Sequence, residues 1–151
     1  MMPHHFNHHS ALLIGVTLVF CISPISAYSG DQVVSPVPDA KVSRAQFTSG
    51  INDREPIDKL VKVDSSITNL FYFTELLNLQ GHQVSHRWEH DGEVVSNVSF
   101  MVEGPRWRVF SKKTLEPSRL GKWTVFVVDE SGWPIHASIF EYTGEAESLD
   151  Q

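Results

Sequence analysis

Asp91-Gly92 stands between two runs of alternating side chains, His82 to His90 and Glu93 to Val102. An Asp-Gly pair in that setting predicts a two-residue hairpin turn, because both central residues take positive φ, which glycine adopts freely and aspartate tolerates. The middle of the chain is thereby committed to antiparallel strands. Similar segments recur on both sides: Arg44 to Ser49, Ile67 to Thr74, Arg106 to Ser111, Lys122 to Asp129 and Ile135 to Tyr142 are short and rich in β-branched and aromatic residues. Gly, Pro, Asn or Asp separate them. Roughly seven strands at this spacing predict an all-β fold, an immunoglobulin-like two-sheet antiparallel sandwich. Only Asp53 to Val63 (DREPIDKLVKV) suggests a helical turn, with Pro56 near its start and Ile57, Leu60 and Val61 on one side.

The strand before the turn ends in His86-Arg87-Trp88-Glu89-His90, which has the H-x-x-E-H spacing of an inverted zinc-peptidase motif. That chemistry needs a helix, which sets the two histidines one turn apart with the glutamate beside them. On a strand, Val84 and Trp88 point into the core with His86 between them. His82, His86 and His90 then share one face, but residues four apart on a strand are separated by about 13 Å. Zinc ligands lie about 2 Å from the ion, so the row cannot close on one metal without a ligand such as His136 from elsewhere. The expectation is a hydrogen-bonded histidine near the core, with no metal and no cofactor. Glu75, Glu89 and Glu103 are the carboxylates available for a glycosidase pair. Nothing pairs them in sequence, and they read as solvent-facing strand and loop groups. The chain has no G-x-S-x-G elbow and no phosphate-binding glycine loop, so no catalytic residue is assigned.

Residues Ala11 to Ile22 form an unbroken apolar run, followed by Pro24, Ser26 and Ala27. This is the pattern of a secretory signal with cleavage near Ala27, and the run is shorter than the roughly 20 residues a membrane span needs. The n-region lacks Lys and Arg, and an uncleaved inner-membrane anchor is the alternative. Cys21, preceded by Phe20, does not fit a lipid-attachment site. Cleavage removes the single cysteine, leaving no possible disulfide. The expected organisation is a signal peptide (1–27), a flexible linker (28–40), a β-sandwich domain (41–143) and an acidic tail (144–151). All charged residues follow the leader, so the net charge of −6 belongs to the mature chain. That balance argues against nucleic acid or an anionic membrane as partner.

Four tryptophans, at 88, 107, 123 and 133, are many for a small domain, and Arg87, Arg106 and Arg108 adjoin two of them. Trp88 and Trp123 read as core residues. Trp133, between Gly132 and Pro134 in a hairpin loop, reads as exposed. If Trp107 faces inward, Arg106 and Arg108 project outward with Phe110. Arg87, Arg106, Arg108, Lys112 and Lys113, with Trp133, are the candidate binding residues: a basic strip able to fork carboxylates or stack on rings.

RAQFTSGINDREP (44–56), FYFTEL (71–76), VSHRW (84–88), GPRWRVFSKKTL (104–115) and GKWTVFVVDESG (121–132) together resemble the bacterial family called domain of unknown function 2914. The resemblance implies an envelope-associated bacterial protein and carries no functional residue. It agrees with the periplasmic address that the leader implies. The function expected is therefore a non-catalytic binding or interaction module of the bacterial envelope, meeting an acidic glycan or an acidic envelope protein. The alternatives are a small periplasmic hydrolase using His and Glu, with a concave pocket, or a structural accessory subunit with an exposed edge strand or apolar patch.

Overall fold

The computed structural model describes residues 40–144, all strand, turn and loop. The expected leader, nearly all of the linker and the acidic tail lie outside the described residues. Ten strands run in order: β1 (Lys41–Thr48), β2 (Ile51–Asn52), β3 (Glu55–Pro56), β4 (Val63–Asp64), β5 (Asn69–Leu77), β6 (Gln83–His90), β7 (Glu93–Met101), β8 (Arg106–Thr114), β9 (Gly121–Val128) and β10 (Pro134–Thr143). The seven long ones are those predicted from sequence. The other three are two-residue pieces without enough alternation to be seen in the chain.

The long strands form two sheets, β1-β5-β8 and β4-β10-β9-β6-β7, packed face to face. All long pairings are antiparallel, whereas β4 joins β10 in parallel over two residues. Asp91 and Gly92 turn between β6 and β7 with φ of 49° and 87°, as the Asp-Gly pair requires. Trp88 and Trp123 are fully buried in the core that sequence assigned them. Phe47 of the small sheet meets Phe140 of the large one edge-on at 4.8 Å, and Tyr72 meets Trp88 at 6.2 Å, so aromatic pairs carry the contact between layers.

The helical turn expected over Asp53 to Val63 is absent. β2 and β3 form a hairpin whose turn, Asp53-Arg54, holds both residues at positive φ (48° and 64°). Beyond it, Leu60 N–H donates to Phe47 O and the Asp58 carboxylate accepts from Ser49 N–H and Thr48 Oγ1. The apolar residues that mimicked a helical stripe are thereby split: Leu60 packs on the core while Ile57 and Val61 face solvent.

β5 is the middle strand of the small sheet and is buried along both faces. Its inner side chains, Leu70, Tyr72, Thr74 and Leu76, face the core, and Phe73 and Glu75 of the outer face are equally shielded. The β2–β3 hairpin reaches onto that outer face through Arg54 and Glu55. This covering is what builds the site.

Candidate functional site

Glu75 is 3% exposed, which overturns its reading as a solvent-facing carboxylate. A buried carboxylate must be paired and hydrogen-bonded, and the neighbouring strands supply the partners. In the β5–β8 register Glu75 stands opposite Arg108, and in the β1–β5 register opposite Arg44. Arg106 Nε and Nη2 both lie 2.9 Å from Glu75 Oε2, Arg108 Nε lies at 3.2 Å, and Arg44 Nη1 at 3.9 Å. The other oxygen, Oε1, accepts from Ser43 Oγ at 2.9 Å. Ser43 sits where the β1–β5 register slips, and such a bulge re-aims a side chain. Burial acts to raise the Glu75 pKa; hydrogen bonds from Arg106, Ser43 and Arg108 outweigh it, and the group lies below the ordinary glutamate range.

A second carboxylate, Glu55 on β3, bridges two of the same arginines: Oε2 to Arg44 Nη1 and Oε1 to Arg108 Nη1, each at 3.0 Å. Glu55 is half exposed, and pairs in that setting are held weakly. Arg54, beside it in the turn, lays its guanidinium 5.0 Å over the Trp107 ring and donates to Arg108 O at 3.5 Å. Arg54, Arg106, Trp107 and Arg108 line a recess of about 260 Å³. Four arginines face two glutamates here, leaving two positive charges in a chain of net charge −6. Each guanidinium has five donors. Among the described residues, Arg106 Nη1 and Arg108 Nη2 make no hydrogen bond, and the Arg106 side chain is 61% exposed.

The predicted basic strip is split by the partition into sheets. Arg106 and Arg108 are together on β8, and Lys112 continues the same outer face, its ammonium 5.8 Å over Phe71. Lys113 lies on the opposite face of β8, half-buried across from Leu70. Arg87 belongs to the other sheet, where it donates to Glu89 Oε1 at 2.9 Å and stacks 4.9 Å over Phe126. Trp133 is 71% exposed in the β9–β10 turn, as expected of that loop, and does not line the recess. The sequence pointed to none of Ser43, Arg44, Arg54 and Glu55, and placed Glu75 in solvent. One signal was present: Glu75 is the single charge in the apolar run FYFTELL.

The four described histidines are dispersed. His86 is fully buried, its ring nitrogens 2.9 Å from Thr74 Oγ1 and from Ser111 Oγ, which also accepts from Trp88 Nε1 at 3.0 Å. This is the core histidine that the strand reading expected. Burial pushes its pKa down to about 3, keeping the ring neutral. His82 pairs with Glu130 at 2.8 Å, His90 meets Leu120 O at 2.9 Å, and His136 meets Ser138 Oγ at 3.3 Å. No three His, Cys, Asp or Glu side chains among the described residues converge as metal ligands.

No curated protein matches this chain. The blocks RAQFTSGINDREP and FYFTEL precede the segment that a family model matches. Residues 81–142, which carry β6 to β9, most of β10 and the Arg106/Arg108 pair, match the family described as Protein of unknown function (DUF2914).

Proposed function

We propose that the chain is exported to the bacterial envelope and that its domain is a non-catalytic binding module, recognising an acidic group on a partner at the arginine face of the small sheet. The observation that carries this reading is the surplus of guanidinium donors around Glu75. The buried carboxylate holds Arg106 and Arg108 in place before any ligand binds, while among the described residues Arg106 Nη1 and Arg108 Nη2 make no hydrogen bond. Preorganised, forked donors are the usual means of holding a carboxylate. Recognition is favoured over hydrolysis because the described residues that line the recess are three arginines and a tryptophan, none of them suited to exchange a proton near neutral pH.

An acidic protein surface fits better than a glycan. Sugar stacking at Trp107 needs an open ring face, and Arg54 covers one side of the indole while Gly104 lies close enough that a Cβ there would stand 3.4 Å from Cε3. The test is calorimetric titration of the purified protein with poly-glutamate and with polygalacturonate at low ionic strength. Poly-glutamate should bind, and Arg106→Gln with Arg108→Gln should weaken it at least about tenfold while the circular dichroism of the fold persists. Equal binding by the variant, or none by either protein, would remove this reading.

A further inference from the structure

The recess opens beside the free edge of β8. β8 pairs only with β5 among the described residues, so one side of its backbone has no strand partner. The register tells which residues face that side. Asn78 N–H donates to Pro105 O and Leu115 N–H donates to Thr68 O, so the residues at both limits of β8 that turn toward β5 are odd-numbered. The β5–β8 register is unbroken from Arg106 to Thr114, and backbone groups alternate sides along a strand. The N–H and C=O groups of Arg106, Arg108, Phe110 and Lys112 therefore point to the free edge. Arg54 corroborates this: it reaches Arg108 O from outside the sheet. The same four residues carry their side chains on the outer face, with Arg106, Phe110 and Lys112 exposed.

We propose that β8 is a docking edge for an acidic peptide in extended conformation, added antiparallel as a fourth strand of the small sheet. This rests on the acidic-partner reading above and names the partner. Main-chain bonds at alternate residues would give affinity, and side chains two apart would give specificity. A peptide strand on this edge sets its own outer-face side chains about 5 Å from those of Lys112, Phe110, Arg108 and Arg106 in turn. The complementary pattern is acidic, apolar, acidic, acidic at every second position. Charge also selects against a second copy of this chain. Cations on an edge strand repel another such strand, which is how edges are kept from self-pairing. The feature that blocks self-association attracts an acidic strand. On docking, a peptide N–H takes the place of Arg54 on Arg108 O, and the released guanidinium is positioned to meet a peptide carboxylate.

The test uses the full chain and the probe acetyl-Glu-Thr-Val-Thr-Glu-Thr-Glu-amide, with amide chemical shifts and calorimetry as readouts. Binding should perturb the amides of Arg106, Arg108, Phe110 and Lys112. It should weaken at least about tenfold with a probe N-methylated at the bonds facing β8, and equally in Phe110→Pro. That proline removes an N–H that points to solvent rather than to β5, and such edge positions tolerate it. Phe110→Ala keeps the N–H and loses only the ring, so it should weaken binding less than Phe110→Pro does. If Phe110→Pro does not fold, the N-methylated probe alone decides. Undiminished binding of the N-methylated probe would overturn strand addition while leaving acidic recognition in place. Binding of polygalacturonate or poly-glutamate without binding of the peptide would do the same. No binding of any of these probes would overturn both readings.

Discussion

Thr74 and Glu75 are consecutive on β5 and point to opposite faces of the small sheet, and each leads to a buried titratable group. Inside, Thr74 and Ser111 satisfy His86 with uncharged hydroxyls, and the ring stays neutral. Outside, Glu75 stays ionised under Arg106 and Arg108. Burial is nearly the same; the difference is what remains over. The inner cluster closes on itself, and no buried side-chain polar atom among the described residues lacks a partner. The outer one has more donors than its own carboxylates can fill. A closed network contributes stability alone, whereas an unfilled one can accept a ligand.

Removal of each centre separates the two roles most sharply. His86→Ala leaves a cavity at the sheet interface and strips partners from Thr74 and Ser111, and should cost about 3–5 kcal/mol in urea unfolding. Glu75→Gln keeps the shape but leaves arginines without their carboxylate. Because those arginines are partly solvated, its cost should be lower, about 2 kcal/mol. Acidic-peptide binding at the misplaced arginines should fall with it. Comparable stability losses, or a binding loss in neither variant, would erase the distinction.

Acid should open the inner face first. The neutral ring is favoured in the fold, with a folded pKa of about 3 against 6.5 in the unfolded chain. The unfolded state therefore binds the extra proton between those values. Stability contributed by His86 is complete above pH 6.5 and is lost as pH falls toward 3, with a slope of up to about 1.4 kcal/mol per unit. Glu75 adds loss in the same direction only below its ordinary value of 4.5. Denaturation midpoints between pH 6.5 and 4.5 should therefore flatten in His86→Gln and stay steep in Glu75→Gln. The smallest effect concerns Arg54. Its positive φ is costly for a residue with a Cβ and easy for glycine, so Arg54→Gly should offset the lost contact with Trp107 and shift stability by less than about 1 kcal/mol. Peptide binding should still drop several-fold, a separation of affinity from stability that titration and melting would read together.

Much of the scaffold was legible because it rests on local signals. Asp91-Gly92 marked the hairpin, alternation marked seven strands, and the spacing of Val84, His86 and Trp88 placed the histidine in the core. The arginine face rests on facts that alternation does not encode. FYFTELL shows which side chains share a side, but not that a hairpin covers the outer one. Asp53-Arg54 turns without the glycine that would have marked it, so the segment read as helical. Arg87 and Arg106 looked alike in the chain, yet β6 pairs with β7 and β9 in the large sheet while β8 pairs with β5 in the small one. Partition between sheets is a tertiary outcome, and the strip was divided by it.

The arginine face has a kinetic consequence. Glu75 meets Arg106 and Arg108 across 31 and 33 residues of chain, and Ser43 across 32. Long loops must close before such contacts are rewarded, and folds dominated by them assemble slowly. The β6–β7 hairpin needs only its own turn. A nascent or partly unfolded chain can carry that hairpin without the cluster of cations around Glu75, so the acidic partner proposed above would select the finished domain.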